Sequence, residues 1–126
     1  MAKTDRPFVE PADSLPAVPV AAGTAAKMQV LVGPAQGAPN FVLRRFIMEK
    51  GGGMPLHTNE VEHEQYVLRG RARMRVGDAV HEVSPDMTLY IPAGVPHNYE
   101  VLEGPFEFLC VVPNTADKIT ILEEGC

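Results

Sequence analysis

From Lys27 onward the chain is a succession of short apolar runs broken by turn-forming residues. "KMQVLV", "NFVLRRFIME", "EQYVLRG", "ARMRVG", "VHEV", "TLYIPA", "HNYEVL", "FEFLCVVP" and "KITIL" are each bounded by Gly, Pro, Asn, Asp or Ser. Several alternate apolar and polar positions, the period of two expected of strands with one buried face. "RVGDAVHEV" reads as a hairpin turning at Gly77-Asp78. No segment keeps the helical period over the ~10 residues a helix needs. Prolines and glycines fall mostly between the runs, as they should if the runs are strands, because proline cannot donate to a central ladder. Gly51-Gly52-Gly53 predicts a tight transition from one strand to the next. Many short strands separated by turns predict an all-β domain, either a closed barrel or a two-sheet sandwich. Residues 1–26, rich in Ala and Pro and without period, read as an extended N-terminal arm, and 27–126 as the β domain.

Length and charge narrow the field. A chain of 126 residues makes one domain, and a hydrophobic fraction of 45% is enough for one core. The net charge of −5 argues against a nucleic-acid surface, which needs a basic face. No apolar stretch reaches the ~20 residues of a membrane-spanning helix. The opening "MAKTDRPFVEPADSLP" is polar, without the apolar core of a secretory leader. The expectation is a cytoplasmic protein that engages neither nucleic acid nor membrane. Of its two cysteines, Cys110 in "FEFLCVVP" reads as a small buried hydrophobe and Cys126 as an exposed terminus. A bridge between them is disfavoured in a reducing compartment.

The candidate chemistry lies in "GGGMPLHTNEVEHEQYVLRG", residues 51 to 70. Residues two apart on a strand share a face, so His57 and Asn59 point the same way, as do His63, Gln65 and Val67. If that face is the interior, His57 and His63 approach from two arms of one bend. His97 follows a turn built by Pro92, Gly94 and Pro96. Three neutral imidazoles inside a barrel suit a divalent transition metal. His81, in the hairpin, reads as a solvated strand residue. A single buried histidine is more often a hydrogen-bonded core residue than a ligand; it is the spacing of these three that raises the metal reading.

That spacing resembles the two motifs of the cupin superfamily. The first, G-x5-H-x-H-x3/4-E-x6-G, is followed by Gly51, His57, Asn59, His63 and Gly70. The second, G-x5-P-x-G-x2-H-x3-N, is followed by Asp86, Pro92, Gly94, His97 and Val101. The resemblance spans roughly residues 27 to 114 and is similar in detail to small single-domain manganese-type cupins, which carry a histidine in place of the glutamate. It implies a cupin barrel (a double-stranded β-helix, or jelly roll) with His57, His63 and His97 as metal ligands. It also implies one divalent ion, Mn or Fe foremost, with Ni, Cu and Zn as alternatives, and a homodimer. The departures are Asn59 for the second histidine, His63 for the glutamate, Asp86 for a glycine and Val101 for an asparagine. Asn59 then stands at an altered fourth corner, either as a weak neutral ligand or as a holder of metal-bound water; the second role is preferred.

Around this centre, Phe106, Phe108, Cys110 and Val112 share strand parity and would form an apolar wall. Val42, Arg44, Phe46 and Met48 share another face; if it is inward, Arg44 is placed to grip a carboxylate and Arg45 is solvated. Met54 is expected at the pocket mouth, Gln65 as a hydrogen-bonding support of a ligand, and Tyr99 as a cavity donor. Glu60, Glu62 and Glu64 read as a solvated acidic rim, with Glu64 the nearest substitute ligand should the register slip. Three functions fit a small-molecule partner at such a site. One is a dioxygenase-like oxidoreductase using open metal positions. Another is a ligand-binding module without turnover. The third is a metal-dependent isomerase, lyase or decarboxylase.

Overall fold

The structure, a computed structural model, describes residues 7–122. Among these, regular structure is almost all strand, as the period of two requires; the exceptions are two single 3-10 turns, Ala12–Ser14 and Pro34–Gln36. The strands are β1 (Val18–Pro19), β2 (Thr24–Val32), β3 (Phe41–Asn59), β4 (His63–Val76), β5 (Ala79–Val83), β6 (Thr88–Ile91), β7 (His97–Pro113) and β8 (Ile119–Ile121). They form one antiparallel sheet in the order β1-β2-β3-β7-β4-β5, with β6 on β4 and β8 on β3. The all-β expectation holds, and the predicted hairpin is β4–β5, turning at Gly77-Asp78.

β4 and β7 each join two of the predicted runs into one long, bent strand, and β3 carries its predicted run on through the glycines to Asn59. β3 passes through Gly51-Gly52-Gly53 without ending; its pairing with β7 shifts register between Met48 and Gly53. The predicted strand-to-strand transition is therefore a bend within one strand. Gly53 lies at φ 150°, and a Cβ there would collide with the carbonyl oxygen of Tyr99. Only glycine lets β3 lie this close to β7. Gly70 does the same for β4, at φ 80° against the backbone of Glu103, Pro105 and Phe106. Bends of this kind curl one sheet around its own inner face, where Met48, Val67, Ala72, Met74, Ile91, Phe106, Phe108 and Cys110 are almost wholly buried. Each bend also switches parity: β7 buries His97, Tyr99 and Val101 before its Gly104-Pro105 bend and Phe106, Phe108, Cys110 and Val112 after it.

The chain before the barrel folds back onto it. β1 pairs with β2 (Val18↔Met28), and the Val20 N–H donates to the Ala26 carbonyl at 2.9 Å. Gln29 Nε2 donates to the carbonyls of Ala12 and Leu15, both at 3.1 Å, pinning the turn ahead of β1. β2 begins at Thr24, and Ala26 already belongs to the core. At the other end β8 pairs with the last residues of β3 (His57↔Ile121, Asn59↔Ile119). Cys126 and residues 1–6 lie outside the described residues.

Candidate metal centre and its cavity

The three motif histidines meet at one end of the curled sheet. His57, near the end of β3, is the ladder partner of His97, the first residue of β7, and their ring centroids are 4.2 Å apart. His63, the first residue of β4, stands 5.7 Å from His97 by centroids. Each ring is held by the same local device. The Nδ1 of His57, His63 and His97 contacts the carbonyl two residues earlier (Pro55, Val61 and Val95) at 2.8, 3.1 and 2.9 Å. A carbonyl only accepts, so each Nδ1 carries the proton and each Nε2 keeps a lone pair. Burial lowers the proton affinity of all three rings, taking His63 and His97 down to about 4, with the Arg44 charge adding to the effect at His63. At neutral pH they are uncharged donors.

Asn59 completes the set. Its Nδ2 donates to Asp117 Oδ2 at 2.8 Å, which fixes the amide's orientation because a carboxylate offers no donor. Its Oδ1 is buried and has no hydrogen-bond partner. Burial pushes the Asp117 carboxyl up, but hydrogen bonds from Asn59 and from the backbone N–H groups of Glu60 and Lys118 outweigh it and hold it below its ordinary value. The neighbouring imidazoles are not drawn into a closed shell: among the described residues no three His, Cys, Asp or Glu side chains form a metal-holding group. The donor chemistry nonetheless fits a divalent transition ion, with three imidazole lone pairs and one orphaned amide oxygen beside each other.

These residues open on a cavity of about 270 Å³. Arg44, Phe46, Met48, Met54, Gln65, Tyr99 and Phe108 form its inner wall. Arg44 thus faces in, whereas Arg45 turns out to Glu107 at 3.7 Å. Tyr99 stacks on Phe108, with centroids 5.1 Å apart and planes 9° from parallel. Phe106 does not line the cavity, contrary to its assignment as a pocket residue; it packs behind Tyr99 and Phe108 as core. Gln65 supports no histidine either. Its Nε2 donates to the Tyr99 hydroxyl at 2.6 Å and lies 3.7 Å from Cys110 Sγ. Glu60, Glu62 and Glu64 are exposed, and β4 begins in a register that turns Glu64 outward, removing it as a substitute ligand. His81 is exposed.

Several lining residues escaped the sequence reading. Pro19, Val20 and Ala21 of the arm and Asp117 and Ile119 of the C-terminal segment wall the mouth. Only tertiary pairing of β1 and β8 brings them there, and pairings of two and three residues leave no periodic trace.

The family model Cupin_2, described as a cupin domain, matches residues 44–112, more than half of the chain. The chain belongs to the cupin family. This cupin is similar to the polyketide cyclase RemF from Streptomyces resistomycificus, with 29% identity and a TM-score of 0.82, covering 93% of this chain and 87% of that one. It is similar also to Rru_A2000 from Rhodospirillum rubrum, a cupin-2 domain, at 26% identity and a TM-score of 0.79, covering 94% and 84%. A cupin 2 domain-containing protein from Halorhodospira halophila shares 34% identity at a TM-score of 0.72, over 79% of this cupin and 71% of that protein. No curated protein matches it.

Proposed function

We propose that this cupin holds one divalent transition ion on the Nε2 atoms of His57, His63 and His97, with Asn59 Oδ1 at the fourth corner. We further propose that it catalyses cyclisation or isomerisation of a small substrate carrying an enolisable carbonyl. The carrying observation is the shared anchor: three Nδ1–H groups tied to carbonyls leave three Nε2 lone pairs beside an orphaned amide oxygen. When bound, such an ion supplies Lewis acidity to a carbonyl oxygen and favours its enolate. A donor set without negative charge leaves that acidity undiminished.

The chain's own residues supply the rest. Gln65 donates to the Tyr99 oxygen, so the Tyr99 proton is left for a substrate oxygen. Burial raises the Tyr99 phenol's proton affinity and keeps it a donor at neutral pH. Phe46, Met48, Met54 and Phe108 exclude water and hold an apolar body. Likeness to a protein named as a polyketide cyclase supports a non-oxidative carbon–carbon reaction. The dioxygenase-like reading rests on the same neutral donor set, which leaves positions open to a second ligand.

Elemental analysis of protein purified without an affinity metal tests the centre. About one equivalent of Mn, Fe or Zn per chain is expected, lost in His57→Ala, His63→Ala and His97→Ala and tightened in Asn59→His. Failure of the wild type to take up any of these ions when they are added would overturn the reading. Incubation with 1,3-dicarbonyl compounds under nitrogen and under air separates the reactions, since turnover that persists without oxygen excludes the oxidative one.

A further inference from the structure

Arginines elsewhere in the described residues have oxygen partners. Arg45 and Arg69 meet Glu107, Arg71 meets Glu82 and Glu103, Arg73 meets Glu100, and Arg75 Nε donates to the Gly77 carbonyl. Arg44 is different. Its Nη2 lies 3.3 Å from Cys110 Sγ and its Nη1 3.9 Å from Met28 Sδ, and its Nε, like that of Arg45, is buried without a hydrogen-bond partner; unlike Arg45, whose guanidinium has Glu107 and Gln29 oxygens beside it, Arg44 meets no oxygen. Sulfur is a weak acceptor, and a part-buried guanidinium facing a cavity is best satisfied by a carboxylate or its equivalent. The guanidinium carbon sits 5.0 Å over the Phe46 ring, so packing fixes the fork rather than leaving it to swing into solvent. The other charged group lining the cavity, Asp117, already accepts from Asn59, Glu60 and Lys118, and makes no ion pair with Arg44.

We propose that Arg44 is an anion subsite that receives the carboxylate of the substrate. The substrate class is then an oxo-carboxylic acid with an apolar body, its carboxylate on Arg44 and its enolisable carbonyl toward the histidines. The second half rests on the proposed metal centre; the first does not. Asp117, the cavity's own carboxylate, is committed to Asn59, Glu60 and Lys118, so a carboxylate on Arg44 would have to come from a ligand. Such an arrangement selects for an acid over its amide or ester.

Calorimetric titration decides it, with benzoate, benzoylacetate and benzoylacetamide added to metal-free and zinc-loaded protein. Metal-free wild type is expected to bind benzoate, with Kd raised at least ten-fold in Arg44→Gln and largely restored in Arg44→Lys. Zinc-loaded wild type should prefer benzoylacetate over its amide at least ten-fold, and Arg44→Gln should abolish that preference while keeping full zinc stoichiometry. Equal binding of acid and amide, or unchanged acid affinity in Arg44→Gln, overturns the subsite. Absence of zinc uptake would sink the metal centre alone, since benzoate binding to metal-free protein still reads Arg44. Arg44→Met should melt at or above the wild-type temperature; a melting temperature far below it would mark the guanidinium as structural and overturn the proposal.

Discussion

Asn59 is useful only in one orientation, and Asp117 sets that orientation. Without the carboxylate the amide is free to turn its nitrogen toward the histidines, exchanging an acceptor for a donor that no cation tolerates. Groups that orient a metal ligand typically matter by 10–100-fold in affinity. Asp117→Ala is therefore expected to weaken metal binding about ten-fold, measured by competition with a chromogenic chelator. Unchanged affinity would detach Asp117 from the centre. His57, His63 and His97 were legible in the sequence because their spacing falls on a known pattern; parity grouped Arg44 with Phe46 and Met48 but left open whether that face or the one carrying Arg45 points in, which the cavity lining decides for Arg44. Asp117 was not legible: it follows β7 in an irregular segment, where neither parity nor a motif says which way a side chain points.

Among the strands, the glycines decide shape. Gly51 and Gly53 differ by two positions, yet their surroundings predict different costs. A methyl at Gly51 meets nothing within 4 Å, so Gly51→Ala should lose only the left-handed backbone preference, about 1 kcal/mol. At Gly53 the same methyl drives into the Tyr99 carbonyl, and Gly53→Ala should cost more than about 2 kcal/mol. Urea unfolding of the two variants checks the ranking, and similar midpoints would contradict the close approach of β3 and β7. Sequence patterning found the apolar runs of β3, β4 and β7 but divided β4 and β7 in two and ended β3 at its glycines. Glycine reads as punctuation between strands, and a bend that a strand survives looks the same until its neighbour is known. Phe106 was misassigned for a related reason, since parity gives the face but not the depth: Phe106 and Phe108 both point inward, and only Phe108 reaches the cavity.

At the scale of the whole molecule, the buried imidazoles tie stability to acidity. In the unfolded chain a histidine takes up a proton near pH 6.5, whereas His63 and His97 in the folded, metal-free chain do so only near pH 4. Between those values the unfolded state holds more protons, so folding stability falls as pH falls, by about 3 kcal/mol for each ring across the window. Chemical denaturation of metal-free protein at pH 7.5, 6 and 4.5 should show this loss, and His97→Gln should reduce it. A flat profile would mean that the rings are not buried neutral donors.

Both ends of the described chain furnish the rim of the cavity: Pro19 to Ala21 on one side, Asp117 and Ile119 on the other. None of these lies in the stretch that carries the family signature, 44–112. Specificity can therefore change in segments outside the family signature, while the histidine donor atoms stay fixed. Grafting another cupin's leader in place of Pro19 to Ala21, with Asp117 kept to orient Asn59, should change which guests enter without altering which ion they find.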